Sequence, residues 1–105
     1  MELSISKVAQ VIVYAHELSR FRPELEAFLD CMNEDEADEL VAIMWIGRGS
    51  FEPVEFRDAI LIAQQERMTP ISEYLLGTPH FGEHLEAGME RLGHPVLEEE
   101  LLLIA

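Results

Sequence analysis

Residues 33–49, N33-EDEADELVAIMWIGR-G49, contain the start, the body and the end of one helix. Asn33 is a favourable N-cap residue, and Glu36 is the acid that a capping box places three positions later. Five carboxylates fill the first two turns, where the helix dipole favours negative charge. The helical apolar period continues through Leu40, Val41, Met44 and Trp45. Gly47 or Gly49 suits the left-handed turn that follows a helix, so the stretch predicts a helix that stops at these glycines.

The rest of the chain repeats the helical apolar period, and no stretch alternates apolar and polar residues as a half-buried strand does. Its 105 residues match the size of one domain, and 49% of them are hydrophobic, which is enough to form a core. We therefore expect one all-α domain over residues 1–105, a compact bundle of five to six short helices.

The predicted first helix begins near Ser4 or Ser6, because either side chain can cap free backbone N–H groups, and it runs to about Ser19. Pro23 suits the first turn of a short second helix over residues 24–30.

After the glycines, residues 50–53 restart a helix with one clearly apolar face. That face consists of Phe56, Ala59, Ile60 and Ala63, and Leu61 and Ile62 flank it. A helix that is apolar nearly all round is expected in the centre of a fold or in a subunit interface.

Two Thr-Pro pairs, Thr69-Pro70 and Thr78-Pro79, each combine a capping hydroxyl with a proline at the first helical position. The predicted helices cover residues 71–76, ended by Gly77, and residues 79–92, ended by Gly93. Beyond Pro95, residues 96–105 are predicted to form an amphipathic helix or tail. Its apolar run from Leu101 to Ile104 would be exposed unless it packs back or meets another chain.

Short motifs occur in the order M44-W-I-G-R-G49, Y74-L-L-G-T-P79 and L85-E-A-G88, with a helix between the first two. In the order of these motifs, the chain resembles a small bacterial family catalogued as domain of unknown function 3775, over about residues 39–93. The resemblance implies a compact helical domain and brings no activity with it. His80 and His84 are not part of the motifs that carry it.

The pentapeptide H80-F-G-E-H84 has the ligand order of the inverted zincin metalloproteases. On a helix, His80 and His84 stand one turn apart, which suits one metal ion, and Glu83 would be the general base for a metal-bound water. The stretch follows Pro79 and contains Gly82, and both histidines lie at or beyond the border of the predicted buried stripe. A capped helix start with solvated histidines is the simpler interpretation, and metal binding is the chemical alternative.

The other two histidines do not complete this pattern. His94 lies about 15 Å from His84 at 1.5 Å per residue along a helix. His16 lacks the second histidine of a His-Glu-x-x-His motif, and it lies near a helix end, where the dipole favours a cation.

Trp45, Arg48 and Tyr74 are the candidate ligand-binding residues. Trp45 and Tyr74 need hydrogen-bond partners if they are buried, so the core could meet a polar pocket there. Arg48, together with N–H groups of the G47-R-G49 turn, could hold an anion. The structural alternative is that the aromatic residues form core and the glycines form a tight turn.

The chain carries 21 Asp and Glu against 7 Lys and Arg, which gives a formal net charge of −14. Binding to nucleic acid or to an anionic membrane surface requires basic residues, so both are disfavoured. The charge favours solubility, and its alternative use is as an acidic decoy for a basic protein partner. We expect a cytoplasmic protein, since the start is a poor signal peptide, no apolar run spans a bilayer and Cys31 has no partner for a disulfide.

These features together favour a non-catalytic protein-interaction or small regulatory module without a cofactor. We expect a homodimer, formed through the apolar helix around residues 56–63 or through the tail. The competing class is a metal- or small-ligand-binding protein centred on His80, Glu83 and His84. No nucleophile, base and acid arrangement can be assembled from the sequence.

Overall fold

The computed structural model describes residues 1–67 and 70–104, and every regular element in them is helical. The helices are α1 (Ile5–His16), α2 (Leu18–Asp30), α3 (Glu34–Arg48), α4 (Phe56–Glu66), α5 (Ile71–Leu76), α6 (Phe81–Arg91) and α7 (Leu97–Ile104). A 3₁₀ turn, Pro53–Glu55, precedes α4. The all-α prediction is confirmed, but five to six helices was too low, because the described residues form seven.

The break between α1 and α2 was predicted in the wrong place. The first helix ends at His16 instead of about Ser19, because the backbone of Glu17 leaves the helical region at φ −128° and ψ 57°. Helix α2 then begins at Leu18 and continues through Pro23, which was expected in the first turn of a shorter helix. A proline inside a helix loses one backbone hydrogen bond. Tertiary packing of α2, which buries leucines in the core, offsets that loss.

Helix α3 forms the centre of the fold, with ten of its 15 residues buried. Its predicted start is confirmed: Glu36 N–H donates to the Asn33 side chain at 2.8 Å, and Asn33 N–H donates back to Glu36 at 3.2 Å. The helix ends at Gly49, whose φ of +90° favours glycine. Helix α4 was expected in the centre of the fold or in a subunit interface, and it is not central, because it buries only Ala59 and Ala63 where it packs against α3.

Helices α3 and α6 cross with their backbones in contact. A Cβ on Gly47 would lie 1.6 Å from the carbonyl oxygen of His84, and a Cβ on Gly88 would lie 2.1 Å from that of Ile43. The role of Gly47 is therefore close packing of two helices, and Gly49 alone supplies the left-handed turn.

Three carboxylates near the start of α3 attach other segments to it. Glu36 pairs with Lys7, Glu39 accepts hydrogen bonds from the backbone N–H groups of Glu2 and Leu3, and Asp38 pairs with Arg67 at 2.9 Å. The acidic run is thus more than a favourable helix start, because it holds the beginning of the chain and the end of α4.

The Thr-Pro predictions are partly wrong. Helix α5 covers Ile71–Leu76 as predicted, while Thr69 lies outside the described residues. Helix α6 covers Phe81–Arg91 instead of residues 79–92, and its N-cap is His80, in a left-handed conformation with φ +60°. The Thr78 hydroxyl does not cap α6, because it donates to the carbonyl of Tyr74 at 2.9 Å.

Candidate functional site

Helix α7 buries one acidic side chain and exposes its large apolar ones, unlike a normal amphipathic helix. Val96 and Glu100, four residues apart and so on one face, are buried against the rest of the fold. All five large apolar residues of α7 are between 41% and 68% exposed: Leu97, Leu101, Leu102, Leu103 and Ile104. The predicted helix and its exposed apolar run are thus both present.

Three of the exposed side chains form a continuous line. Leu97, Leu101 and Ile104 follow one another at spacings of four and three residues, the spacing by which one helix packs against another. We call this line the α7 seam. Its surroundings are acidic, since Glu98 is exposed beside it and Glu99 is half-buried.

A groove of about 590 Å³ separates the end of α7 from α1 and the start of α2. Its apolar lining comes from Val13, Phe21, Leu103 and Ile104, and its polar lining comes from Gln10, His16, Glu17, Arg20 and Glu100. Arg20 lies 3.6 Å from the carboxylate of Glu17 and over the ring of Phe21. The seam and the groove share Ile104 and so form one apolar surface.

Beneath this surface lies a cluster of one histidine and two carboxylates. His16 Nε2 is 3.5 Å from Glu86 Oε1 on α6 and 3.5 Å from Glu100 Oε1 on α7. Glu100 is only 6% exposed, and its second oxygen, Oε2, has no hydrogen-bond partner. Burial raises the pKa of Glu100, and the neighbouring Glu86 carboxylate raises it further, to about 7. His16 is at a helix end, as predicted, and it faces both acids.

His80 lies at the N-cap of α6, outside the helical turns that carry His84. His80 precedes α6 in its left-handed conformation, is exposed, and has Nδ1 3.5 Å from Glu83. His84 lies half-buried on α6. Among the described residues, the group of three possible ligands that lie together is the His16 cluster, and it contains neither of these histidines. Metal binding by His80 and His84 stays a prediction.

The candidate ligand residues Trp45 and Tyr74 are hydrogen-bonded to each other, while Arg48 is hydrogen-bonded to a different residue. Trp45 Nε1 donates to the Tyr74 hydroxyl at 2.9 Å, so the two aromatic residues supply the partner that each was expected to need. The Trp45 ring also stacks on Phe51 with centroids 5.7 Å apart. The exposed Arg48 side chain donates to the Ser50 hydroxyl at 3.1 Å. Ligand binding by these residues likewise stays a prediction.

Glu86 and Glu100 were missed in the sequence, because each stands among acids that are typical of a solvated helix face. One signal for Glu100 was available: Val96 and Glu100 share a face at a spacing of four residues, and burial of Val96 brings the acid inward. Glu86 carries no such signal.

Among the described residues, no helix is both long and apolar enough to cross a membrane.

A family model with the description Protein of unknown function (DUF3775) matches residues 22–94. The match confirms the resemblance and extends it from about residues 39–93 to most of α2. It leaves α1 and α7 outside, so the α7 seam, His16 and Glu100 are carried by segments that the family model does not cover. Neither the curated proteins nor the solved structures give a match.

Proposed function

We propose a function for this chain from its own surface, because it belongs to the family Protein of unknown function (DUF3775), which supplies no activity. The chain is a non-catalytic interaction module that binds a basic amphipathic helix of a partner protein along the α7 seam. The observation that carries this proposal is the packing of α7, which buries Glu100 and exposes five large apolar side chains.

The size of the apolar surface indicates weak, reversible binding. Fully burying one leucine or isoleucine contributes about 1.5–3 kcal/mol, so covering what is still exposed of the three seam residues contributes about 3–5 kcal/mol. Association costs about 4–15 kcal/mol in lost translational and rotational freedom. A partner that covers the seam alone would therefore not bind stably, and we expect it to fill the adjoining groove as well.

Charge selects the kind of partner. Each chain carries a net charge of −14, so two copies repel each other, while a basic helix is attracted. Glu98 beside the seam, with Glu17 at the edge of the groove, would meet lysines or arginines that flank the apolar face of the partner. A homodimer, as expected from the sequence, is the competing occupant of the seam.

The test uses a fluorescent helical peptide of leucine and lysine as the probe. We expect saturable binding that weakens as salt rises, and loss of binding in Leu101→Glu. The matched control is Leu61→Glu, an equally exposed leucine on α4, which should bind the peptide normally. A peptide with glutamate in place of lysine should not bind.

Two outcomes would overturn the proposal. One is equal binding of the peptide by wild type and Leu101→Glu. The other is a mass of two chains in light scattering at micromolar concentration, in place of 12.0 kDa, that returns to one chain in Leu101→Glu, because the seam would then hold a second copy.

A further inference from the structure

The cluster beneath α7 has the composition and spacing of a metal-ligand set. We propose that His16, Glu86 and Glu100 bind a divalent transition-metal ion, with Zn²⁺ as the ion that best suits one imidazole and two carboxylates. This site is distinct from the α7 seam, because none of its three ligands is a seam residue, and it adjoins the groove, whose lining includes His16 and Glu100.

The distances fit a single ion. Zn²⁺ holds nitrogen and carboxylate oxygen ligands at about 2.0–2.2 Å, which places two tetrahedral ligands about 3.4 Å apart. His16 Nε2 lies 3.5 Å from an oxygen of Glu86 and 3.5 Å from an oxygen of Glu100. All three ligand atoms lie within 4.8 Å of one another, so small side-chain rotations bring them around one ion.

Glu100 supplies a second, independent observation. A carboxylate that is 6% exposed normally has a hydrogen-bond partner for each oxygen, yet Glu100 Oε2 has none. The acid beside it on α6 is Glu86, and two adjoining carboxyl groups are stable together only with a proton or a cation between them. A bound metal ion would neutralise both carboxylates, and a Glu100 carboxylate that binds it through both oxygens would also give Oε2 a partner.

An ion can reach the site from solvent. The side chains of His16 and Glu86 are 48% and 33% exposed, and they form the outer side of the cluster, while Glu100 forms its inner side. Three protein ligands leave one position of a tetrahedral ion open to water or to another molecule. The cluster joins three helices that are distant in sequence, so binding should also stabilise the docking of α7.

The pentapeptide H80-F-G-E-H84 is the competing location for a metal ion. His80 is 71% exposed, and the carboxylate near it belongs to Glu83, which is 70% exposed, so neither of these two groups is held in place by burial. A comparison of variants of the two locations therefore decides between them.

Protein purified without a His-tag would be titrated with Co²⁺, whose visible absorption reports tetrahedral coordination, and with Zn²⁺ in a calorimeter. We expect one ion per chain and a higher Tm with Zn²⁺. Glu100→Gln, which keeps the shape of the side chain, should weaken binding more than about a hundredfold, since it removes a ligand itself and not a supporting contact. The double variant His80→Ala/His84→Ala is the control and should bind as wild type does.

Three results would overturn the proposal: no binding of either ion to wild type, unchanged binding in Glu100→Gln, or loss of binding in the control alone. Should Glu100→Gln fold poorly by circular dichroism, Glu86→Gln repeats the test at a more exposed ligand. Leu101→Glu, which blocks the seam, should leave metal binding unchanged, so a failure of this site is distinguishable from a failure of the proposed interaction.

Discussion

The carbonyl oxygen of His84 occupies the space in which a Cβ on Gly47 would lie, only 1.6 Å away. Substitution Gly47→Ala must therefore push α6 away from the central helix α3. Overpacking in a core costs about 1–3 kcal/mol. The new methyl group would meet backbone atoms of α6, which cannot rotate away as a side chain can, so we expect a loss of stability at or above the upper end of this range. Urea unfolding followed by circular dichroism measures the loss. The control, Gly77→Ala, changes an exposed glycine with an ordinary helical φ, and its Cβ would lie 3.2 Å from the Glu73 carbonyl oxygen, so it should cost clearly less than Gly47→Ala.

Substitution of Gly49 should destabilise the protein for a different reason, because this position is constrained by its backbone conformation and not by contacts. No atom lies within 4 Å of where its Cβ would be, but its φ is +90°. Gly49→Ala should therefore cost about 1 kcal/mol from the left-handed backbone alone. Gly49→Asn should cost less, because asparagine tolerates that conformation better. Equal losses in the two variants, measured by urea unfolding, would show that the turn is not what constrains this position.

Because Tyr74 accepts a hydrogen bond from Trp45, replacing Tyr74 by phenylalanine should cost more stability than the same change at Tyr14. Tyr74→Phe removes the acceptor of the buried Trp45 N–H and should cost about 1–3 kcal/mol. Tyr14→Phe keeps the ring that contacts Phe21 and Phe28 and should cost less. Trp45 is the single tryptophan, so its fluorescence reports both unfolding and the change at this bond. An unaltered emission spectrum and unaltered stability in Tyr74→Phe would contradict the contact.

The pair Lys7 and Glu36 predicts a dependence of stability on pH. The Lys7 hydrogen bond, followed by the Asn33 backbone N–H, lowers the pKa of Glu36 below its ordinary value of 4.5. A lowered carboxyl pKa contributes stability that is complete above pH 4.5 and is lost as the pH falls through the lowered pKa. Lys7→Met should therefore cost up to about 1 kcal/mol at neutral pH, as for a partly exposed pair.

That difference between wild type and Lys7→Met should shrink as the pH falls below 4.5. Chemical unfolding of both proteins across an acidic pH series measures it. Lys7 is half exposed at the surface, so Ser6→Ala, a neighbouring exposed position on α1, serves as the control and should show no pH-dependent difference. A Lys7→Met difference that is constant with pH would rule out the pair as its cause.

Helix ends were predictable where one side chain acts within one turn. Asn33 and Glu36 form the capping box that their spacing indicates, and Ser4, one of the two predicted caps of α1, accepts a hydrogen bond from Lys7 N–H. The prediction failed at Pro23, where tertiary packing overrides the local preference, and at Thr78, whose hydroxyl makes a different local bond, to the carbonyl four residues earlier. Helix α2 keeps its proline because its leucines are buried, and Thr78 bonds back to α5.

The candidate site was less predictable than the fold. The sequence indicated that the apolar tail is exposed unless it packs back or meets another chain. It also indicated that Trp45 and Tyr74 need hydrogen-bond partners if they are buried. The meeting of His16, Glu86 and Glu100 was not predictable, because these residues lie on three helices and their neighbours are ordinary acids of a solvated surface.

The helical character of the chain, the capped start of α3, its glycine end and the short helix α5 follow from local chemistry, because apolar period, caps and turn residues act over a few positions. Packing between distant segments determined three other features. Helix α3 is the most buried helix, Gly47 lies where α3 contacts α6, and α7 buries Glu100 and exposes its leucines. The period of α7 identifies its two faces, but only the presence of α1 and α6 against one of them determines which face is buried.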